Sequence, residues 1–196
     1  GRPFMPKFFN DEKNIEKIRG VYIPFWLYSF EVSGSIKMEA KNIRSWTSGN
    51  THYTKTDIYH VIRGGNMEYA MVPVDGSTHF ANDMMNSLEP FHFNEFKEYN
   101  HAYLSGFLAE KYDVSSEEAF SDAKNRALNS ATNYLSSQVN YTNKRVLENH
   151  LQEKNVRSEY VLLPVYMVNI KYKDKMYLFA MNGQTGEFIG DIPLDK

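Results

Sequence analysis

Residues Val21 to Val32 constrain the fold more than any other stretch of the chain. Tyr22, Pro24, Trp26, Tyr28, Phe30 and Val32 fall on one side of an alternating pattern, and Val21, Ile23, Phe25 and Leu27 fall on the other. A strand that is apolar on both faces must be covered on both. Pro24 cannot donate a ladder hydrogen bond, so the sequence predicts an edge strand or a bulge there. An edge of that kind could also accept an added strand from a partner.

The punctuation around this stretch predicts short strands. Asn10, Asp11 and Glu12 read as the start of a helix that Gly20 closes after Arg19, with Ile15 and Ile18 on one face. Ser33-Gly34, Ser48-Gly49-Asn50 and Gly64-Gly65-Asn66 read as turns. They divide residues 21–74 into a four-stranded antiparallel meander, which Asp75-Gly76-Ser77 ends. A short helix is expected over Phe80 to Leu88, stopped by Glu89-Pro90. The strongest helix begins at a Ser115 or Ser116 cap and runs to about Val139. Its stripe is Ala119, Phe120, Ala123, Ala127, Ala131, Tyr134 and Leu135. Residues 140–155 read as irregular or as a polar edge strand. Tyr160 to Ile170 and Met176 to Met181 form a hairpin across Lys173-Asp174, and Asn182 to Gly186 turns the chain into a last strand. Gly183 and Gly186 read as positive-φ turn residues.

Residues 21–40 and 161–180 align without gaps. Val21 matches Val161, Pro24 matches Pro164 and Ala40 matches Ala180. A duplicated helix-plus-hairpin unit would give this pattern, with halves around 10–75 and 115–192. The fold class expected is α+β: one domain over 1–196, with antiparallel sheet, one long helix and several short ones.

The chemistry in the sequence is sparse. The chain of 196 residues carries 22 basic and 24 acidic side chains and no cysteine. Disulfides and thiolate metal sites are thereby excluded within it, and no whole-molecule field is expected to draw nucleic acid. No apolar run reaches the ~20 residues that span a bilayer. His79 with Asp83, and His92 with Glu95, are the nearest approach to metal-ligand spacing. Solvated histidines explain them as well, and no cofactor or metal is expected in this chain. Asp75, Asp83 and Glu89 could serve a hydrolase only if the fold gathered them. Arg44 and Trp46, with other basic and aromatic residues of the N-terminal quarter, could contact single-stranded nucleic acid. Glu31, Glu39 and neighbouring acids dilute that charge. Tyr22, Trp26, Tyr28, Arg44 and Trp46 are the candidate interaction surface; no catalytic residue is assigned.

Several strings carry a resemblance: Tyr22-Ile23-Pro24-Phe25-Trp26-Leu27-Tyr28, Ser87-Leu88-Glu89-Pro90-Phe91, Tyr103 to Ala109, Leu162 to Tyr166, and Phe179-Ala180-Met181-Asn182-Gly183-Gln184-Thr185-Gly186, closed by Gly190-Asp191-Ile192-Pro193. In that order they resemble the body of bacterial zinc-ribbon proteins, mostly of Gram-positive species. The resemblance implies a middle region of a longer protein. A zinc-binding ribbon would lie upstream, and membrane-spanning segments could lie downstream. The zinc would belong to that ribbon and not to this chain. The aromatic-rich strands and the missing catalytic constellation point to a non-catalytic cytoplasmic domain with a protein partner. The basic and aromatic N-terminal residues point, as the alternative, to a nucleic-acid accessory module acting with the ribbon. A hydrolase is the third reading.

Overall fold

The computed structural model describes residues 15–80, 82–172 and 175–190. Its strands are β1 (Ile15–Ser48), β2 (Thr51–Asp75), β3 (Leu108–Ala109), β4 (Asn143–Asn149), β5 (Gln152–Tyr172), β6 (Lys175–Asn182) and β7 (Phe188–Gly190). The α-helices among the described residues are α1 (Asn82–Ser87) and α2 (Ser116–Ser137). The sheet runs β2-β1-β5-β6-β7, with β3 and β4 also paired to β1. The α+β expectation with several helices is thus overturned. The chain is a largely antiparallel β fold with one long helix.

The error lies in the glycines. The expected turns at Ser33-Gly34 and Gly64-Gly65 are absent, because β1 runs unbroken for 34 residues and β2 for 25. Gly34 sits inside β1 with φ 137°, and a Cβ there would lie 2.2 Å from the His150 carbonyl oxygen. A Cβ on Gly64 would lie 2.8 Å from the carbonyl oxygen of Gly34. These glycines permit close approach of backbones, which is the other use of glycine in a strand. Of the predicted turns in this region, Gly49-Asn50 is a turn, with Gly49 at φ 61°.

The expected N-terminal helix is corrected in the same way. Residues 15–19 belong to β1, and its remaining residues lie outside those described. The duplicated helix-plus-hairpin unit falls with it. Residues 161–180 do bend into a hairpin, with Tyr172 opposite Lys175, whereas residues 21–40 lie within one strand. The Lys173-Asp174 turn itself is outside the described residues.

Two compact units divide the chain. Among the described residues, the first spans 15–27, 73–119 and 159–190, the second 28–72 and 120–158. In the first unit, Val21, Ile23 and Phe25 of β1 join Leu163, Val165 and Met167 of β5, Met85 and Leu88 of α1, and Phe91 in one core. Val168, Ile170 and Phe179 form a second cluster, so β5, like β1, is apolar on both faces. Each such buried side chain contributes about 1.5–3 kcal/mol.

Pro24 is not on an edge, since β1 lies between β2 and β5 in the sheet order. The two-residue β3 pairs only with Val21 and Tyr22. Beyond it the Gly76 amide donates to the Pro24 carbonyl at 2.8 Å.

In the second unit the buried phase of β1 is even: Tyr28, Phe30, Val32, Ile36, Met38 and Ala40. Helix α2 supplies the cover. Ser115 and Glu118 form a reciprocal cap, with Glu118 N–H donating to Ser115 Oγ at 3.3 Å and Ser115 N–H donating to Glu118 Oε2 at 2.9 Å. Those bonds hold the Glu118 carboxyl below its ordinary range, the backbone bond first. Ala123, Ala127, Ala131 and Leu135 are buried. Tyr134, expected in the stripe, is 57% exposed; it stands one position off the i+4 series of the alanines. Small residues let the helix lie close, so that Phe120 packs edge-on against Phe30 at 5.5 Å and Leu135 comes within 3.9 Å of where a Gly65 Cβ would stand. The all-exposed β4 pairs antiparallel with β1, Lys41 opposite Asn143.

The two kinds of glycine make a prediction. Gly34→Ala meets both a backbone clash and an unfavourable φ, and should cost at least about 2 kcal/mol in urea unfolding. Gly49→Ala meets only the φ penalty, since nothing lies within 4 Å, and should cost about 1 kcal/mol. Equal costs would mean that Gly34 is an ordinary turn residue.

Candidate functional site

The first unit contains an open cavity of about 720 Å³. Its making begins between Pro90 and Asn100, where the sequence shows mixed pattern and no clear element. Phe91, Phe93 and Phe96 anchor this segment to the core, and Phe93 and Phe96 meet edge to face at 5.4 Å. With those rings turned inward, Glu95, Lys97, Glu98 and Tyr99 are left exposed, and all four line the cavity. Asn100 then caps a 3-10 turn, His101–Leu104, its side chain accepting from the Ala102 amide at 2.9 Å. That turn delivers Tyr103 and Leu104 to the same wall.

The floor comes from β5 and β1: Tyr160, Val161, Leu162 and Pro164, with Tyr22 beside them. Gln184 closes one end and clamps the loop backbone. Its Oε1 accepts from the His92 amide at 3.0 Å, and its Nε2 donates to the His92 carbonyl at 3.4 Å.

Beneath this clamp lies Asn182, fully buried. Its Nδ2 donates to the Leu88 and Pro90 carbonyls at 2.8 and 3.1 Å, and its Oδ1 accepts from the Gln184 and Thr185 amides at 2.8 and 3.1 Å. Gly183 follows because its amide donates to the Pro164 carbonyl at 2.8 Å, and a Cβ would stand 2.7 Å from that oxygen. Gly183 is therefore a close-approach residue and not the positive-φ position expected, whereas Gly186, at φ 71°, is. The string Asn182-Gly183-Gln184 is a scaffold for the cleft.

Tyr160 joins the cleft to an aromatic cluster. Trp26 meets Tyr112 and Tyr160 edge-on, each at 5.3 Å, and donates from Nε1 to the Val114 carbonyl at 3.0 Å. Burial, and secondarily Tyr112, pushes the Tyr160 phenol above its ordinary range. It stays a neutral hydrogen-bonding group at physiological pH.

Of the candidate surface residues, the fold brings Tyr22 to the cleft and Trp26 against Tyr160 in its floor. Tyr28 is 1% exposed and belongs to the core of the second unit, so it offers no surface there. Arg44 and Trp46 lie in the second unit, on the β1–β2 ribbon. The segment 95–104 was missed in the sequence. Its signal was present in the three phenylalanines at 91, 93 and 96, which neither helical nor strand periodicity captures.

Other chemistry does not assemble around the cleft. Asp75, Asp83 and Glu89 are absent from its lining, and among the described residues no three metal-ligating side chains form a group that could hold an ion. Ser77, His79 and Glu110 do approach one another. Ser77 Oγ lies 3.1 Å from Glu110 Oε2 and 3.3 Å from His79 Nδ1, and His79 Nδ1 is also 3.4 Å from Glu110 Oε2. A nucleophilic relay needs the imidazole between hydroxyl and carboxylate through its two nitrogens. Here one nitrogen faces both, and the serine is buried.

The chain is 35% identical over 192 residues to a protein of Bacillus subtilis (strain 168) named Uncharacterized protein YdjG, a match covering 97% of this chain and 56% of that protein. The likeness is to a bacterial protein. The chain spans about half the length of the curated relative it matches. No family model matches, and no solved structure matches. No helix among the described residues is long and apolar enough to cross a membrane.

The Asn182 scaffold is directly testable. Asn182→Ala leaves the buried Leu88 carbonyl without its donor and removes an acceptor from two amides. It should destabilise the chain by about 2–4 kcal/mol in urea unfolding. A loss below about 0.5 kcal/mol would show that the amide is not the tie between these segments.

Proposed function

We propose that this chain is a non-catalytic binding module, and that the tyrosine-lined cleft of its first unit receives an extended segment of a protein partner. One observation carries the reading: Tyr22, Tyr99, Tyr103 and Tyr160 converge on a single open cleft with Phe96, Leu162 and Pro164. Tyr99, Tyr103 and Tyr160 keep 63%, 48% and 44% of their surface exposed. Tyrosine offers a large rigid surface at low entropic cost and a hydroxyl for the partner's backbone. Aromatic anchors of this kind concentrate the energy of protein interfaces. Grooves lined by such rings suit extended, proline-containing segments, whose conformation is largely set before binding.

The residue strings given above, which resemble the middle region of zinc-ribbon proteins, support a wider setting. In this reading the module lies in the cytoplasm, in a longer protein with a zinc ribbon upstream. The cleft would then be its docking element, and the metal would belong to the ribbon alone.

The test is recovery of partners by the full-length protein in its host, by photocrosslinking, for the wild type and for Tyr103→Ala and Tyr160→Ala. Truncating an interface anchor costs about 2 kcal/mol or more. Each substitution should therefore reduce the specific crosslinked species by about tenfold or more. Species recovered equally by wild type and both variants would remove the cleft from the interaction.

A further inference from the structure

The β1–β2 ribbon of the second unit gathers basic and aromatic side chains on one face. Trp46 and Tyr53 stack across the strands, with centroids 5.5 Å apart and planes 12° from parallel. On the other face Ser45 bonds Thr54 and Thr47 bonds His52, both at 3.1 Å. Side chains alternate along a strand, so Arg44 shares the face of Trp46 and Lys55 shares the face of Tyr53. Arg44, Trp46, Tyr53 and Lys55 are all exposed.

Charge is concentrated here. From Lys41 to Asn66 the ribbon carries Lys41, Arg44, Lys55 and Arg63 against Asp57 alone, in a chain whose formal charge is −2. Lys41 is held by Glu39 at 3.2 Å, and Lys55 lies 3.2 Å from Asp57. Arg44 has no ion pair among the described residues.

From this face we infer a second binding surface: the ribbon takes single-stranded nucleic acid, with bases against Trp46 and Tyr53 and phosphates at Arg44 and Lys55. Stacking on aromatic rings beside a cationic track is the general mode for such ligands. An anionic membrane also attracts exposed aromatic and basic residues. The ribbon tip, however, is Thr47-Ser48-Gly49-Asn50-Thr51-His52, which has no apolar side chain to insert. The aromatics lie behind it along the face, where a strand can be laid across them.

Fluorescence anisotropy with a labelled oligothymidylate and the whole 196-residue chain tests this. Binding is expected, with log affinity falling against log salt by about 0.7 per contacted phosphate. Trp46→Ala should weaken it about fivefold or more, and Arg44→Glu with Lys55→Glu about tenfold or more. These side chains are exposed, so thermal melting should be unchanged. Should the charge-reversed chain fail to fold, Arg44→Gln with Lys55→Gln should still flatten the salt slope. The inference is overturned by absence of binding, or by binding that neither substitution weakens. It is equally overturned if a sulfated polysaccharide competes fully and Trp46→Ala is silent, which is a polyanion effect. Preference for phosphatidylglycerol vesicles over the oligonucleotide would replace it with a membrane surface.

Discussion

Strand β1 buries its odd residues Val21, Ile23, Phe25 and Leu27 and then its even residues from Tyr28 to Ala40, and the register of both units depends on that pattern. Slipping the strand by one residue would turn Val21, Ile23 and Phe25 out of the first unit's core, and would turn Phe30, Val32, Ile36 and Met38 out of the second's. At about 1.5–3 kcal/mol for each large side chain, such a slip costs more than the whole net stability of an ordinary domain. The close approaches at Gly34 and Gly64 serve the same end, since they let neighbouring backbones pass without breaking the strand.

What was legible in the sequence follows from what is local. The serine cap at the start of α2, its alanine series, the Gly49-Asn50 turn and the hairpin of β5 and β6 are all set by residues within a few positions of one another. Each stands where periodicity and turn chemistry put it. Gly34, Gly64 and Gly183 were misread because their reason is not local: each glycine answers a carbonyl oxygen from a distant part of the chain. Sequence spacing alone cannot separate a glycine that turns from a glycine that admits a neighbour. The same limit hid the cleft. Its tyrosines come from residues 22, 99, 103 and 160, and only the fold gathers them.

The two proposed surfaces differ in chemistry as well as in place. The cleft of the first unit pairs tyrosine rings with Glu95, Lys97 and Glu98, so its charge is nearly balanced and ring area carries recognition. The ribbon of the second unit sets two exposed cations beside two stacked rings, so its recognition is electrostatic and salt-sensitive. Neither requires a reactive group. In both, side-chain packing sets the surface: the Asn182 and Gln184 hydrogen bonds hold the cleft wall, and the exposed Trp46–Tyr53 stack shapes the ribbon face.

The register of the sheet depends on β1 and β2 being continuous through Gly34 and Gly64. Native-state hydrogen exchange followed amide by amide reads this directly. Continuous strands predict that the ladder-bonded amides between Val32 and Ile36, and between Ile62 and Asn66, exchange on the timescale of their strand neighbours. A four-stranded meander predicts fast exchange at Ser33-Gly34 and Gly64-Gly65, flanked by protected segments. That second pattern would contradict the shared-strand architecture and the register argument built on it.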